Sequence, residues 1–184
     1  MSKLTISAAT DWCFSTSWSK DGRKFAVASQ DGQVTIWDHR SSRPLAIFYS
    51  RPSKDTHQDD GGLASHHLHQ DEVTSSSGRE AARVVKFSPE GSSRDLLVFS
   101  EENTNIHIID ARTFDTHVVI PVPKEVPGVP PSARHTGIDS VHYGISGIAF
   151  DPSGDWLYAG TERTVVEWDL RRCGGGEGGT WSMA

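Results

Sequence analysis

Histidines, carboxylates and thiols are the side chains of this 184-residue chain that could carry chemistry. His57, His66, His67 and His69 fall in one short stretch beside Asp59, Asp60, Asp71 and Glu72. Imidazole and carboxylate both ligate zinc-type ions. Their spacing matches no structural zinc pattern, and no cysteine accompanies them, so the stretch reads as a solvated loop and no metal site is expected. Cys13, between Trp12 and Phe14, reads as a small buried hydrophobe. Cys173, at the head of a glycine tail, reads as a free surface thiol. Neither has the His and Asp companions of a catalytic thiol. The pair Glu101-Glu102 reads as a solvated turn rather than an acid–base couple. The run Cys173-Gly-Gly-Gly-Glu-Gly-Gly lacks the Lys-Ser/Thr of a phosphate-binding loop. No serine sits in a nucleophile-elbow context. No catalytic residue and no cofactor are therefore expected.

Composition narrows the class further. Hydrophobic residues make up 35% and mean hydropathy is −0.45. No apolar run approaches the roughly 20 residues of a membrane-spanning helix, and the first residues lack an apolar signal core. Two cysteines exclude a disulfide scaffold and fit a reducing compartment. A net charge of −6 argues against electrostatically driven nucleic-acid binding. The expectation is a soluble intracellular protein, cytoplasmic or nuclear, with no membrane and no nucleic-acid partner.

The elements that would position any site emerge from an internal repeat. The first copy runs from Ser15 through Trp18-Ser-Lys-Asp-Gly, Phe25-Ala-Val-Ala-Ser29 and Asp31-Gly to Val34-Thr-Ile-Trp37-Asp38. The second begins at Arg83, passes through Phe87-Ser-Pro-Glu-Gly, Asp95-Leu-Leu-Val-Phe-Ser and Asn103, and ends at Ile109-Asp110. The third begins at Ser146, passes through Phe150-Asp-Pro-Ser-Gly and Trp156-Leu-Tyr-Ala-Gly, and ends at Trp168-Asp169. Each copy reads as a strand, a tight Asp/Pro/Gly turn, a mostly apolar strand, a polar turn, and a third strand. Val34 and Ile36, like Ile106 and Ile108, alternate with a period of two, which places them on one face of a sheet. Fourth β-rich stretches follow at Pro44–Tyr49 and at 117–122. No helical periodicity is present.

Three such copies in register resemble the WD-repeat β-propeller family. The resemblance covers residues 15–49, 83–122 and 146–169. It implies an all-β fold of about three four-stranded antiparallel blades, near 11–50, 81–122 and 145–184, forming an incomplete or open ring. It also implies structural roles. Ser29, Asp31 and Trp37 fill three of the four positions of the family's hydrogen-bonded network, with Asp38, Trp168 and Asp169 at the equivalent strand ends. The family's Gly-His pair is missing from all three copies. The second copy has Ile109 where the Trp belongs, and the third lacks the turn Asp. The second copy also resembles, more narrowly, a short domain of unknown function in fungal WD-repeat proteins, marked by Asp95-Leu96-Leu97.

The copies lie roughly 65 residues apart, against about 40–45 in a propeller repeat. The excess falls in two spacers. Residues 51–80 hold few aliphatic side chains (Leu63, Ala64, Leu68 and Val73) and read as a disordered insert. The 123–144 connector, together with Pro121, gathers five of the nine prolines and reads as an extended spacer. Residues 173–184 read as a glycine-rich flexible tail.

These features predict a non-catalytic scaffold binding other proteins or peptides, a fragment of a larger propeller that needs missing blades or a partner to close. By resemblance, partners sit where first strands begin, here Trp12, Arg83 and Tyr143. The alternatives are a propeller enzyme with a central-channel site, or a partial gene product without independent function. No acid, His or Arg recurs at matching positions of the three copies, which disfavours the enzyme.

Overall fold

The computed structural model describes residues 11–51, 79–103, 105–123, 144–161 and 164–172. Eleven short strands account for most of them. The first sheet contains β1 (Cys13–Trp18), β2 (Lys24–Ser29), β3 (Gln33–Asp38) and β4 (Pro44–Tyr49). The second contains β5 (Ala82–Phe87), β6 (Leu96–Glu101), β7 (Asn105–Asp110) and β8 (His117–Pro121). The third contains β9 (Ile145–Phe150), β10 (Trp156–Thr161) and β11 (Val165–Asp169), followed by a 3-10 turn at Leu170–Arg172. Within each sheet the spatial order follows the chain order and every pairing is antiparallel. None of the three sheets closes on itself. The third blade has three strands among the described residues. The spacer at 52–78 and the tail from Cys173 lie outside them, as does most of the Pro-rich connector.

Register confirms that the three copies superpose. Trp18 pairs with Phe25 and Phe25 with Trp37. The equivalent rows are Phe87, Leu97 and Ile109 in the second sheet, and Phe150, Leu157 and Trp168 in the third. Short reverse turns make this possible. Gly22, Gly32, Gly91 and Gly154 all adopt positive φ. At Gly32 (φ 77°) the reason is also steric, because an added Cβ would overlap the Ser50 hydroxyl and lie 2.7 Å from the Glu80 carbonyl oxygen.

The sheets stack face to face, which gives two cores. Ala26, Ala28, Val34 and Ile36 of the first sheet pack against Val85, Phe87, Leu97, Phe99 and Ile109 of the second. Val98, Ile106, Ile108 and Ile120 of the second pack against Ile145, Ile148, Leu157, Ala159 and Trp168 of the third. The middle sheet is thus buried on both faces. Strand β6 shows how: Leu97 and Phe99 face one neighbour while Val98 faces the other, the consequence of a two-residue period. Burying a Leu or Phe completely contributes roughly 1.5–3 kcal/mol, and this packing is what holds the sheets together.

Polar ties reinforce the stack. Ser15 and Ser17 hydroxyls accept from the Val85 and Phe87 amides at 3.2 and 3.0 Å, stitching β1 to β5. Small side chains at these two positions let the neighbouring strand approach closely enough to donate.

Candidate protein-interaction site

Antiparallel pairing sorts the loops onto two rims. Trp12, the Gln30–Gly32 turn, Tyr49–Arg51, Arg79–Arg83 and Glu101–Asn103 share one. Three of its side chains stand out. Trp12 is 75% exposed and Phe14 is 38% exposed. The Arg83 guanidinium lies 4.5 Å over the Phe14 ring and pairs with Glu102. Nearby, Arg79 lies 4.5 Å over Tyr49 and donates to the Ser50 carbonyl at 3.1 Å. Cation–aromatic stacking pre-orders both arginines, so a ligand meeting this rim would find charge and apolar surface already in place. Of the rim residues expected from sequence, the structure brings Trp12 and Arg83 to the same end of β1 and β5. Tyr143 lies outside the described residues.

The opposite rim holds the blades together. Lys20 pairs with the Asp95 carboxylate across the seam between the first two blades and reaches the Ser92 carbonyl at 3.5 Å. Lys24 donates to the Ala111 carbonyl at 2.5 Å, and Arg94 to the Leu170 carbonyl at 3.2 Å. The Asp95-Leu96-Leu97 motif therefore points three ways. Asp95 pairs with Lys20, Leu97 packs into the core shared with the first blade, and Leu96 packs against the core shared with the third. Turn carboxylates shape this rim. The Ser19 hydroxyl bonds Asp21 at 2.6 Å and the Ser153 hydroxyl bonds Asp151 at 2.5 Å, and these bonds lead in holding both carboxyls below their usual range. A small cleft lined by Lys20, Lys24, Phe87 and Asp95 opens at the same seam.

The structural residues expected from the repeat are only partly joined. The Ser29 hydroxyl bonds Asp31 and, at 2.9 Å, the Gln33 carbonyl, while Asp31 accepts from the Gln33 amide at 3.0 Å. Trp37 is buried, yet its Nε1 has no hydrogen-bond partner among the described residues. The network thus stops at the turn. Asp38 and Asp169 cap the turns that follow them, accepting from the Arg40 amide at 2.8 Å and the Arg171 amide at 3.0 Å. Trp168 is buried in the second core.

Two expectations are corrected. Cys13 is exposed rather than buried. It opens strand β1 just before a register shift between Cys13 and Ser15, so it does not share the inward face of Ser15 and Ser17 that simple alternation would give it. Glu101 is not in a solvated turn; it ends strand β6 and is fully buried. There it accepts from the Arg51 amide at 2.6 Å, from Asn105 Nδ2 and from His107 Nε2 at 2.8 Å. Burial alone would raise this carboxyl, and the bonds from His107, Arg51 and Asn105 outweigh it, so the group sits below the usual carboxylate range. Sequence reading passed over His107 because it occupies an ordinary alternating strand. Its one signal was a polar side chain among Ile106, Ile108 and Ile109. Among the described residues no cluster of three or more His, Cys, Asp and Glu could hold a metal ion, and no helix is long and apolar enough to cross a membrane.

Comparison with known proteins agrees with this architecture. The WD domain, G-beta repeat, family model matches residues 2–38 and 135–169. The model of an uncharacterised protein domain, DUF2415, matches residues 80–121, the whole middle blade. An uncharacterized protein of Schizosaccharomyces pombe is 27% identical over 168 residues, covering 90% of this chain and 39% of that protein. The β-propeller domain of Cps50 (Swd1) from Myceliophteria thermophila superposes with a TM-score of 0.56 at 18% identity, over 90% of this chain and 41% of that one. The chain therefore spans about two fifths of the length of both. Repeat models at either end, a domain model between them and a shared fold converge: this chain has the fold of β-propeller blades, its ends similar to WD repeats and its middle blade to DUF2415.

Proposed function

We propose that the chain is a non-catalytic scaffold that binds other proteins or peptides through the rim bearing Trp12, Phe14 and Arg83, as part of a larger propeller. The observation that carries this reading is the exposure of Trp12, two residues before Phe14, on which Arg83 is already stacked. Exposed aromatic and arginine side chains are the residue types that dominate binding hot spots. Mounting them on strands packed into a common core lowers the entropy lost on binding. The WD-repeat blades support the same reading, since propellers present loops on a rigid disc.

The test is quantitative proximity crosslinking in cells with the wild-type chain and with a Trp12→Ala/Arg83→Ala double variant. Loss of specific crosslinked proteins in the double variant, at equal abundance and equal melting temperature, is the expected result. An unchanged set of crosslinked proteins removes this rim from consideration.

A further inference from the structure

The buried polar group that no scaffold role uses is the chain Glu101–His107–His117. It runs from the end of β6, through β7, to the exposed start of β8. Glu101 and His107 are 0% and 1% exposed. His107 Nε2 meets the Glu101 carboxylate at 2.8 Å, and His107 Nδ1 lies 2.7 Å from His117 Nε2. Two ring nitrogens at that distance hold one proton between them. The rings are locked by aromatic contacts: His107 stacks on Phe99 at 4.1 Å, and His117 meets Phe48 edge-on at 5.3 Å.

The chain also crosses a blade boundary. Phe48 belongs to β4 of the first blade, and the Arg51 amide, just past β4, donates to Glu101 at 2.6 Å. We propose that Glu101, His107 and His117 form an acid-sensitive clasp between the first and second blades. With both rings neutral, His107 Nε2–H donates to Glu101 and His117 Nε2–H donates to His107 Nδ1, and one added proton on either ring still leaves every atom of the row paired. A second proton sets two N–H groups against each other across 2.7 Å and places two cations side by side. The pair must then separate, and the exposed His117 is the ring that can move, which breaks its contact with Phe48 and loosens the end of β4 next to Arg51.

The charged surroundings favour the closed state at neutral pH. Facing the pair are Glu101 from β6 and Arg51 from the end of the first blade. Glu80 lies one step further, accepting from the Asn103 amide at 3.2 Å, and Lys24 sits over Phe114, which also touches Phe48. Burial, then the charge of His107 and that of Arg51, pushes the His117 imidazole below its ordinary value. A depressed histidine contributes stability that is present above the unfolded value and lost as pH falls through the folded one. The depressed Glu101 carboxyl acts in the same direction at lower pH. Acid therefore opens the clasp, and neutral pH closes it.

Hydrogen exchange of the Arg51 amide, corrected for the intrinsic pH dependence, reads the clasp directly. Between pH 7.5 and 5.5 its protection is expected to fall at least tenfold in the wild-type chain, while the Ile148 amide in the third blade is unaffected. His117→Phe keeps a ring against Phe48 but cannot take the second proton, so its Arg51 protection should stay flat across the same range. A wild-type Arg51 amide indifferent to pH, or an equal fall in His117→Phe, overturns the proposal. Nitrogen NMR of the wild-type histidine rings keeps the test independent of any variant's folding. Two protons entering the pair without any change at the Arg51 amide would also overturn it.

Discussion

The first and second blades use the same strand scaffold to solve the same problem differently. Where β2 ends on Ser29, β6 ends on Glu101, and where β3 carries Thr35 and Trp37, β7 carries His107 and Ile109. In the first blade the polar bonds stay local, within the turn made by Ser29, Asp31 and Gln33. In the second they cross the blade boundary, through the Arg51 amide and the edge-on contact of His117 with Phe48. A repeat can thus keep its backbone while its polar network changes from a turn lock to an inter-blade tie. Buried polar groups are normally paired, and each blade leaves an exception among the described residues, Trp37 Nε1 in the first and the Ser100 hydroxyl in the second.

The largest effect should come from Glu101→Ala, which leaves buried His107 and the Arg51 amide without their acceptor. A loss of about 3–5 kcal/mol by denaturant unfolding is expected, against about 1 kcal/mol for Ser29→Ala, whose bonds are local. Equal losses would erase the contrast between the two networks. Next comes Leu97→Ala, expected to cost about 3 kcal/mol because Leu97 is fully buried between blades. Phe25→Ala at the matching position of the first blade should cost less than this, since Phe25 is only half-buried. Gly32→Ala should cost about 2 kcal/mol, from positive φ and the crowding by Ser50 and Glu80. Gly22→Ala, at φ 66° with no atom near its added Cβ, should cost less, so thermal melting of the two variants separates crowding from backbone strain. Smallest is Lys20→Ala. Its partner Asp95 is about one-third exposed, and such pairs are worth about 0–1 kcal/mol. A loss above 2 kcal/mol would instead make this ion pair the main tie between the first two blades.

Much of the fold was legible in the residues. Trp18, Phe87 and Phe150, each followed by a Gly-containing turn and an apolar strand, located three copies whose register the structure reproduces. Alternation at Val34/Ile36 and Ile106/Ile108 named the faces correctly, because side-chain direction along a strand is fixed by local geometry. The rim was half legible: strand starts pointed to Trp12 and Arg83, but nothing in the sequence announced that Arg83 stacks on Phe14. Glu101 was misread because a carboxylate next to Glu102 and Asn103 looks like a turn. Its burial depends on Arg51, fifty residues earlier, arriving to donate.

The sequence by itself determined the strands, the turns and the repeat, since propensity, two-residue periodicity and glycine conformation act over a few residues. Tertiary structure alone decided which polar groups meet across blades. It joined Lys20 to Asp95 and Arg51 to Glu101, and set His107 against His117. These contacts exist only once the sheets stack, because the desolvation that makes them matter is itself a product of the packing.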